Sequence, residues 1–178
     1  MGSEMCIRDR IKDLYKDRMI FFINRIENHK LNWALTGSYR LFLEGGEGII
    51  RPNDIDILTD KEGAKSIKEL FEEYIAKPFG YSTSGGIKSY YGQLKIGEID
   101  FDIMSEVFNE VDRDWIRIPN LECVEYLTLF NRRIPVLPLE IERKVSEILN
   151  RREKLDAINK IIEKKKTAEN RVDGSANK

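Results

Sequence analysis

Two aspartates, Asp54 and Asp56, lie one residue apart in the stretch "NDIDIL", and a Gly37-Ser38 pair precedes them at the end of the apolar run "NWALT". Alternate residues of an extended strand share a face, so these carboxylates project together, roughly 6 to 7 Å apart, while Ile55 and Ile57 face the other way. Carboxylates that close repel unless a cation lies between them. A strand turning into a helix at Gly37 and Ser38 directs amide N–H groups and the positive end of a helix dipole outward, which suits a phosphate, and Ser38 adds a hydroxyl donor. Oxygen ligands beside phosphate predict Mg²⁺. A later strand, "GEIDFDIM", offers a third carboxylate, because Asp100 and Asp102 share one face opposite Ile99, Phe101 and Ile103. In two-ion phosphoryl chemistry, ions about 4 Å apart hold the attacking and leaving oxygens in line. The set suits attack of an acceptor hydroxyl on a nucleotide α-phosphate, with pyrophosphate leaving.

The elements that must carry these groups follow from periodicity and punctuation. Ile11, Leu14, Tyr15, Met19, Phe22 and Ile26 recur at helical spacing and predict an amphipathic helix over 11–28. A strand at 32–36 leads into a short helix through "YRLFLE", ended by Gly45 and Gly46. After the strand at 53–58, Thr59 and Glu62 have capping-box spacing, predicting a helix that stops before Pro78. From 80 to 104, β-branched and aromatic residues punctuated by glycine predict two or three strands, with turns at 84–86 and near Gly97. "DWIRIP" reads as one more strand, and helices are predicted over 121–130 and 139–165, the second broken near Asn150. The fold class is α/β (α+β): a mixed β-sheet flanked by helices with a helical C-terminal part, in one domain. Residues 11–118 make its core, 119–165 its helical part, and the polar stretch 166–178 a disordered, solvated tail.

Composition narrows the partners. A formal net charge of -1 argues against a dedicated nucleic-acid binder. No apolar run approaches the roughly 20 residues that cross a bilayer, so no membrane partner is expected. The opening "MGSEMCIRDR" back-translates to a sequence resembling a transposase-type sequencing-library adapter, so residues 1–10 are read as foreign and native sequence as beginning near Ile11. Cys123 is then the one remaining cysteine, and a reducing, cytoplasmic setting fits.

The order Gly-Ser, then Asp-x-Asp, in "LTGSYRLFLEGGEGIIRPNDIDILTD" resembles the signature of the DNA polymerase beta-like nucleotidyltransferase superfamily, and "IDFDIM" resembles its third-carboxylate strand. The C-terminal "LPLEIERKVSEILNRREKLDAINKII" is similar to the tail of small stand-alone members of aminoglycoside-nucleotidyltransferase or antitoxin type. The resemblance implies the nucleotidyltransferase fold, with Gly37 and Ser38 holding the triphosphate and Asp54 and Asp56 binding metal. It implies that Asp102 binds metal and helps deprotonate the acceptor, with Asp100 as the alternative third carboxylate. The expected reaction moves an NMP, AMP first among them, from an NTP such as ATP to a hydroxyl, with two Mg²⁺ ions. Near-neutral charge favours a small molecule or a protein over RNA as acceptor. The interval from Ser38 to Asp54 is longer than is usual in the superfamily, by the "EGGEG" loop.

Other residues carry weaker expectations. Lys88, Tyr90 and Tyr91 in "IKSYYG" are candidates for phosphate or base contact, or else form a plain hairpin surface. Lys154 is the preferred nucleotide contact among Arg151, Arg152 and Lys154, against a helix face that is simply solvated. His29 reads as a helix-end cap and Trp33 and Trp115 as core. The alternative function is a non-catalytic nucleotide- or partner-binding module of antitoxin or regulatory type, against which the intact carboxylates count. A sugar-nucleotide glycosyltransferase is opposed by the Gly-Ser turn upstream of the aspartates.

Overall fold

The computed structural model describes residues 2–118 and 121–173, with side chains described for 12–118 and 121–168. Helix α1 (Gly2–Ile26) leads to strand β1 (Trp33–Thr36), helix α2 (Gly37–Leu41) and strand β2 (Ile55–Thr59). Helix α3 (Lys61–Leu70) precedes a meander of β3 (Ile75–Ser84), β4 (Ile87–Ile96), β5 (Ile99–Val111) and β6 (Asp114–Ile116). The hairpin β7 (Glu125–Leu129) and β8 (Arg132–Val136) is followed by α4 (Leu139–Ile148) and α5 (Arg152–Asp173). The strands form one sheet in the order β3-β4-β5-β2-β1-β8-β7, with β6 also paired to β5. Strands β2 and β5 run parallel, as do β1 and β8, while β1 and β2 are antiparallel. The sheet is therefore mixed, as expected.

Strand alternation divides the sheet into two faces. On one, Ile55, Ile57, Phe101 and Ile103 are buried under α1 and α3. There Phe22 stacks on both Phe71 and Phe101 at 5.2 Å between ring centroids. On the other face, Leu58, Val107 and Leu137 form a smaller cluster with Met104 and with Ile141 of α4. Leu41 of α2 packs with Leu139, Ile158 and Ile161, fixing α5 beside α2. Helix α4 covers only part of this second face, and a cleft remains beside it.

Five expectations are corrected. The helix expected over 121–130 is a short 3-10 turn followed by β7, whose hairpin with β8 turns at Phe130 and Asn131, both at positive φ. Apolar residues three apart imitate a helix there, whereas pairing of β8 with β1 supplies the partner that a strand needs. Helix α3 is capped by Asp60, whose carboxylate accepts from the Gly63 amide at 2.7 Å, while the Thr59 hydroxyl donates to the Asn32 carbonyl. It ends at Leu70, and Pro78 lies inside β3, which an edge strand with register shifts around the proline tolerates. Lastly, α5 continues through Asp173, past the tail boundary expected at 166, since lysines and glutamates extend an already nucleated helix well. Residues 174–178 of that tail lie outside the described residues. Trp115, expected in the core, is 39% exposed.

Candidate active site

The positive-φ turn at Gly37 and the two strands beside it build the site. Strand register sets Thr36 opposite Asp56, and Asp56 opposite Asp102 on the parallel neighbour. One carboxylate oxygen from each of Asp54, Asp56 and Asp102 lies within 4.8 Å of the other two. Tyr15 steadies the segment before Asp54 by donating its hydroxyl to the Pro52 carbonyl at 3.1 Å. Gly37 has φ +75°, and a Cβ there would come 1.8 Å from Asp56 Oδ2. Only glycine lets the turn pass this close to the carboxylate.

The carboxylates are held at electrostatic expense. Burial, then the neighbouring Asp54 charge, pushes the Asp56 carboxyl up to about 8. Asp54 is raised by burial and by the Asp102 charge. Asp102 accepts hydrogen bonds from Tyr91 Oη at 3.0 Å and Gln93 Nε2 at 2.8 Å, which fix its orientation. An all-oxygen donor set of three mutually repelling carboxylates fits a hard divalent cation such as Mg²⁺. Asp100 stands apart from the three and pairs with Lys95 at 2.9 Å.

A cleft of about 650 Å³ extends from these groups between the sheet and α4. Gly37, Ser38, Asp54, Asp56, Asp102 and Lys154 all line it, so six of the expected residues converge. Lys88 does not: it is exposed on β4, and its neighbours Ile87 and Ser89 face the cleft in its place. Tyr91 lines the cleft, with its hydroxyl directed at Asp102 and Lys77 Nζ lying 5.9 Å from its ring centroid.

Glu142 of α4 joins the site without having been singled out by any motif. It is 2% exposed, and its Oε1 accepts from the Thr36 hydroxyl and from the Gly37 amide at 2.8 Å. Its Oε2 pairs with Lys154 Nζ at 3.2 Å. Burial alone would raise this carboxyl, but Lys154 and the two hydrogen bonds outweigh it and hold the group below the usual range. The Gly37 amide is thereby committed to Glu142, so Ser38 is the more available donor at the turn. The signal for Glu142 lies in α4's buried stripe, where it falls between Leu139 and Ser146, whereas Glu140, Arg143 and Glu147 form surface ion pairs.

Known proteins share this architecture. The family model of aminoglycoside-2''-adenylyltransferases matches residues 19–157. Among solved structures, the chain is 30% identical to a candidate nucleotidyltransferase, TM1012, from Thermotoga maritima, with a TM-score of 0.70, covering 85% of this chain and 94% of that one. It is 17% identical to the lincosamide antibiotic adenylyltransferase LnuA, solved with lincomycin, at a TM-score of 0.52 and coverage of 82% and 96%. It is 10% identical to ANT(2'')-Ia in complex with adenylyl-2''-tobramycin, at a TM-score of 0.53 and coverage of 80% and 87%. The last two likenesses speak for the fold alone. No curated protein sequence matches significantly. The chain belongs to the aminoglycoside-2''-adenylyltransferase family and is a nucleotidyltransferase.

Proposed function

We propose that this protein transfers AMP from ATP to a hydroxyl of a small, amino-bearing polyhydroxylated acceptor, in a Mg²⁺-dependent reaction. The observation that carries the reading is the convergence of Asp54, Asp56 and Asp102 within 4.8 Å at the end of the cleft where the Gly37-Ser38 turn opens. Asp54 and Asp56 would hold the metal, and Asp102 would share in holding it. Bound Mg²⁺ would supply charge neutralisation at the phosphates and lower the barrier to displacement. Ser38 donates to the triphosphate, and Lys154 offers a cation at the same end of the cleft. The acceptor oxygen forms a bond to the α-phosphorus as the bond from that phosphorus to the bridging oxygen breaks, and pyrophosphate leaves. The hydroxyl proton passes to the Asp102 carboxylate, which Tyr91 and Gln93 keep aimed. The acceptor class takes support from the ligands bound by the similar folds, lincomycin in LnuA and an adenylylated tobramycin in ANT(2'')-Ia.

The test is pyrophosphate release from each of the four NTPs with Mg²⁺, with tobramycin or lincomycin as acceptor, and mass spectrometry of the acceptor. The expected result is release with ATP and an adenylylated product. Nucleotide binding without turnover on either acceptor would favour a binding module over this enzyme.

A further inference from the structure

The cleft has a second end, and β5 changes its facing on the way there. Asp102 and Met104 line the cleft, so simple alternation would next present Glu106 and Phe108. Instead Val107 and Asn109 line it. The cause is a bulge: Lys88 of β4 pairs with Phe108 and Tyr90 with Ser105, so β5 has one residue more than β4, and Glu106 takes φ +51°. Bulges of this kind re-aim side chains beside functional sites.

Asn109 is 0% exposed. Its amide group donates Nδ2–H to the Ile118 carbonyl, which can only accept, so the orientation of the side chain is fixed. Its Oδ1 is then left buried with no partner among the described residues. A buried acceptor left unpaired is destabilising, and a ligand donor is the natural remedy at a cleft wall. Ile87, its register partner, and Ser89 line the same end of the cleft. Asn109 lies seven steps beyond Asp102 along β5, one of them taken up by the bulge, so the span is roughly 20 Å at about 3.3 Å per residue. With the nucleotide's phosphates at the carboxylates and the Gly37-Ser38 turn, this far end of the cleft is open to the acceptor.

We propose that Asn109 anchors the remote end of the acceptor by accepting a hydrogen bond from one of its amino or hydroxyl groups through Oδ1. This rests on the reading of the carboxylate end as the nucleotidyl-transfer site. The experiment is calorimetric titration of the full chain with a non-hydrolysable ATP analogue plus Mg²⁺, and separately with tobramycin. Wild type is compared with Asn109→Leu, which removes the acceptor atom, and with Ser84→Trp, which fills the same end from an exposed position. Thermal melts verify that each variant folds. The expected result is unchanged affinity for the ATP analogue in both variants, with tobramycin binding weakened about tenfold by Asn109→Leu and more by Ser84→Trp. Unchanged tobramycin binding in a folded Asn109→Leu, or in Ser84→Trp should the first variant fail to fold, overturns the anchor alone. Loss of ATP-analogue affinity with tobramycin unaffected reassigns Asn109 to the nucleotide and overturns it too. Wild type that binds the analogue but not tobramycin overturns the acceptor class and the anchor with it. Wild type that binds no nucleotide overturns the reading beneath both.

Discussion

Glu142 and the Asp54–Asp56–Asp102 group line the same cleft yet stand in opposite electrostatic situations. Glu142 is buried with a hydroxyl, an amide and an ammonium all directed at it, and its carboxyl is held below the ordinary range. Of the aspartates, Asp102 is held by Tyr91 and Gln93, whereas Asp54 and Asp56 are driven upward by burial and by the neighbouring carboxylates. A carboxylate whose needs are met inside the fold serves the scaffold, whereas carboxylates left in mutual repulsion are what the proposed cation binding accounts for. The fold keeps them close because Gly37 and the parallel pairing of β2 with β5 leave them nowhere else to go.

This contrast is most exposed to test at the aspartates. Asp56→Asn is expected to lower kcat for nucleotidyl transfer by about a hundredfold to a thousandfold, as steady-state pyrophosphate release will show, while the fold survives. Glu142→Ala should do the reverse. It leaves Lys154, the Gly37 amide and the Thr36 hydroxyl without their partner, and should destabilise the protein by about 3 kcal/mol or more in urea denaturation. Gly37→Ala should cost about 2 kcal/mol through its positive φ and should also impair activity by pressing on Asp56.

A smaller effect follows from the sign of the Asp56 shift. An acid whose folded pKa lies near 8, above its unfolded value of about 3.9, contributes stability that is complete at low pH and is lost as pH rises through 8. The metal-free Asp56→Asn variant should therefore melt higher than wild type at pH 8, with the gap narrowing towards pH 4, in thermal melts at fixed ionic strength. Added Mg²⁺ should close the gap at pH 8 by stabilising wild type alone, and its affinity for wild type should rise with pH up to that point. The smallest effect is expected at Asp100, whose partner is the half-exposed Lys95: Asp100→Asn should change kcat less than about twofold. A large loss there would make Asp100, in place of Asp102, the third carboxylate.

Much of this site is legible in the sequence because its logic is local. Alternation in "NDIDIL" and "GEIDFDIM" tells which side chains share a face, and Gly37-Ser38 marks the turn. The choice of Asp102 over Asp100 needs the cross-strand register that sets it beside Asp56. Glu142 lies 105 residues from Gly37 in the chain, so no window of sequence joins them. Lys88 alternates with Ile87, Ser89 and Tyr91, which face the cleft, while Asn109 escapes a reading of the sequence for a physical reason. A strand's facing depends on its register and bulges, and the bulge at Glu106 reverses the facing of β5 with no glycine to announce it. The β7–β8 hairpin is hidden in the same way, since its turn is built on Phe130 and Asn131.

Whether the three aspartates are a cation site serving a nucleotide is tested most directly by calorimetric titration of ATP with and without Mg²⁺, on wild type and on an Asp54→Asn, Asp56→Asn double variant. Binding is expected to require Mg²⁺ in wild type and to be lost in the folded double variant. Equal binding without the metal, or equal binding by the double variant, would contradict a cation site at these carboxylates.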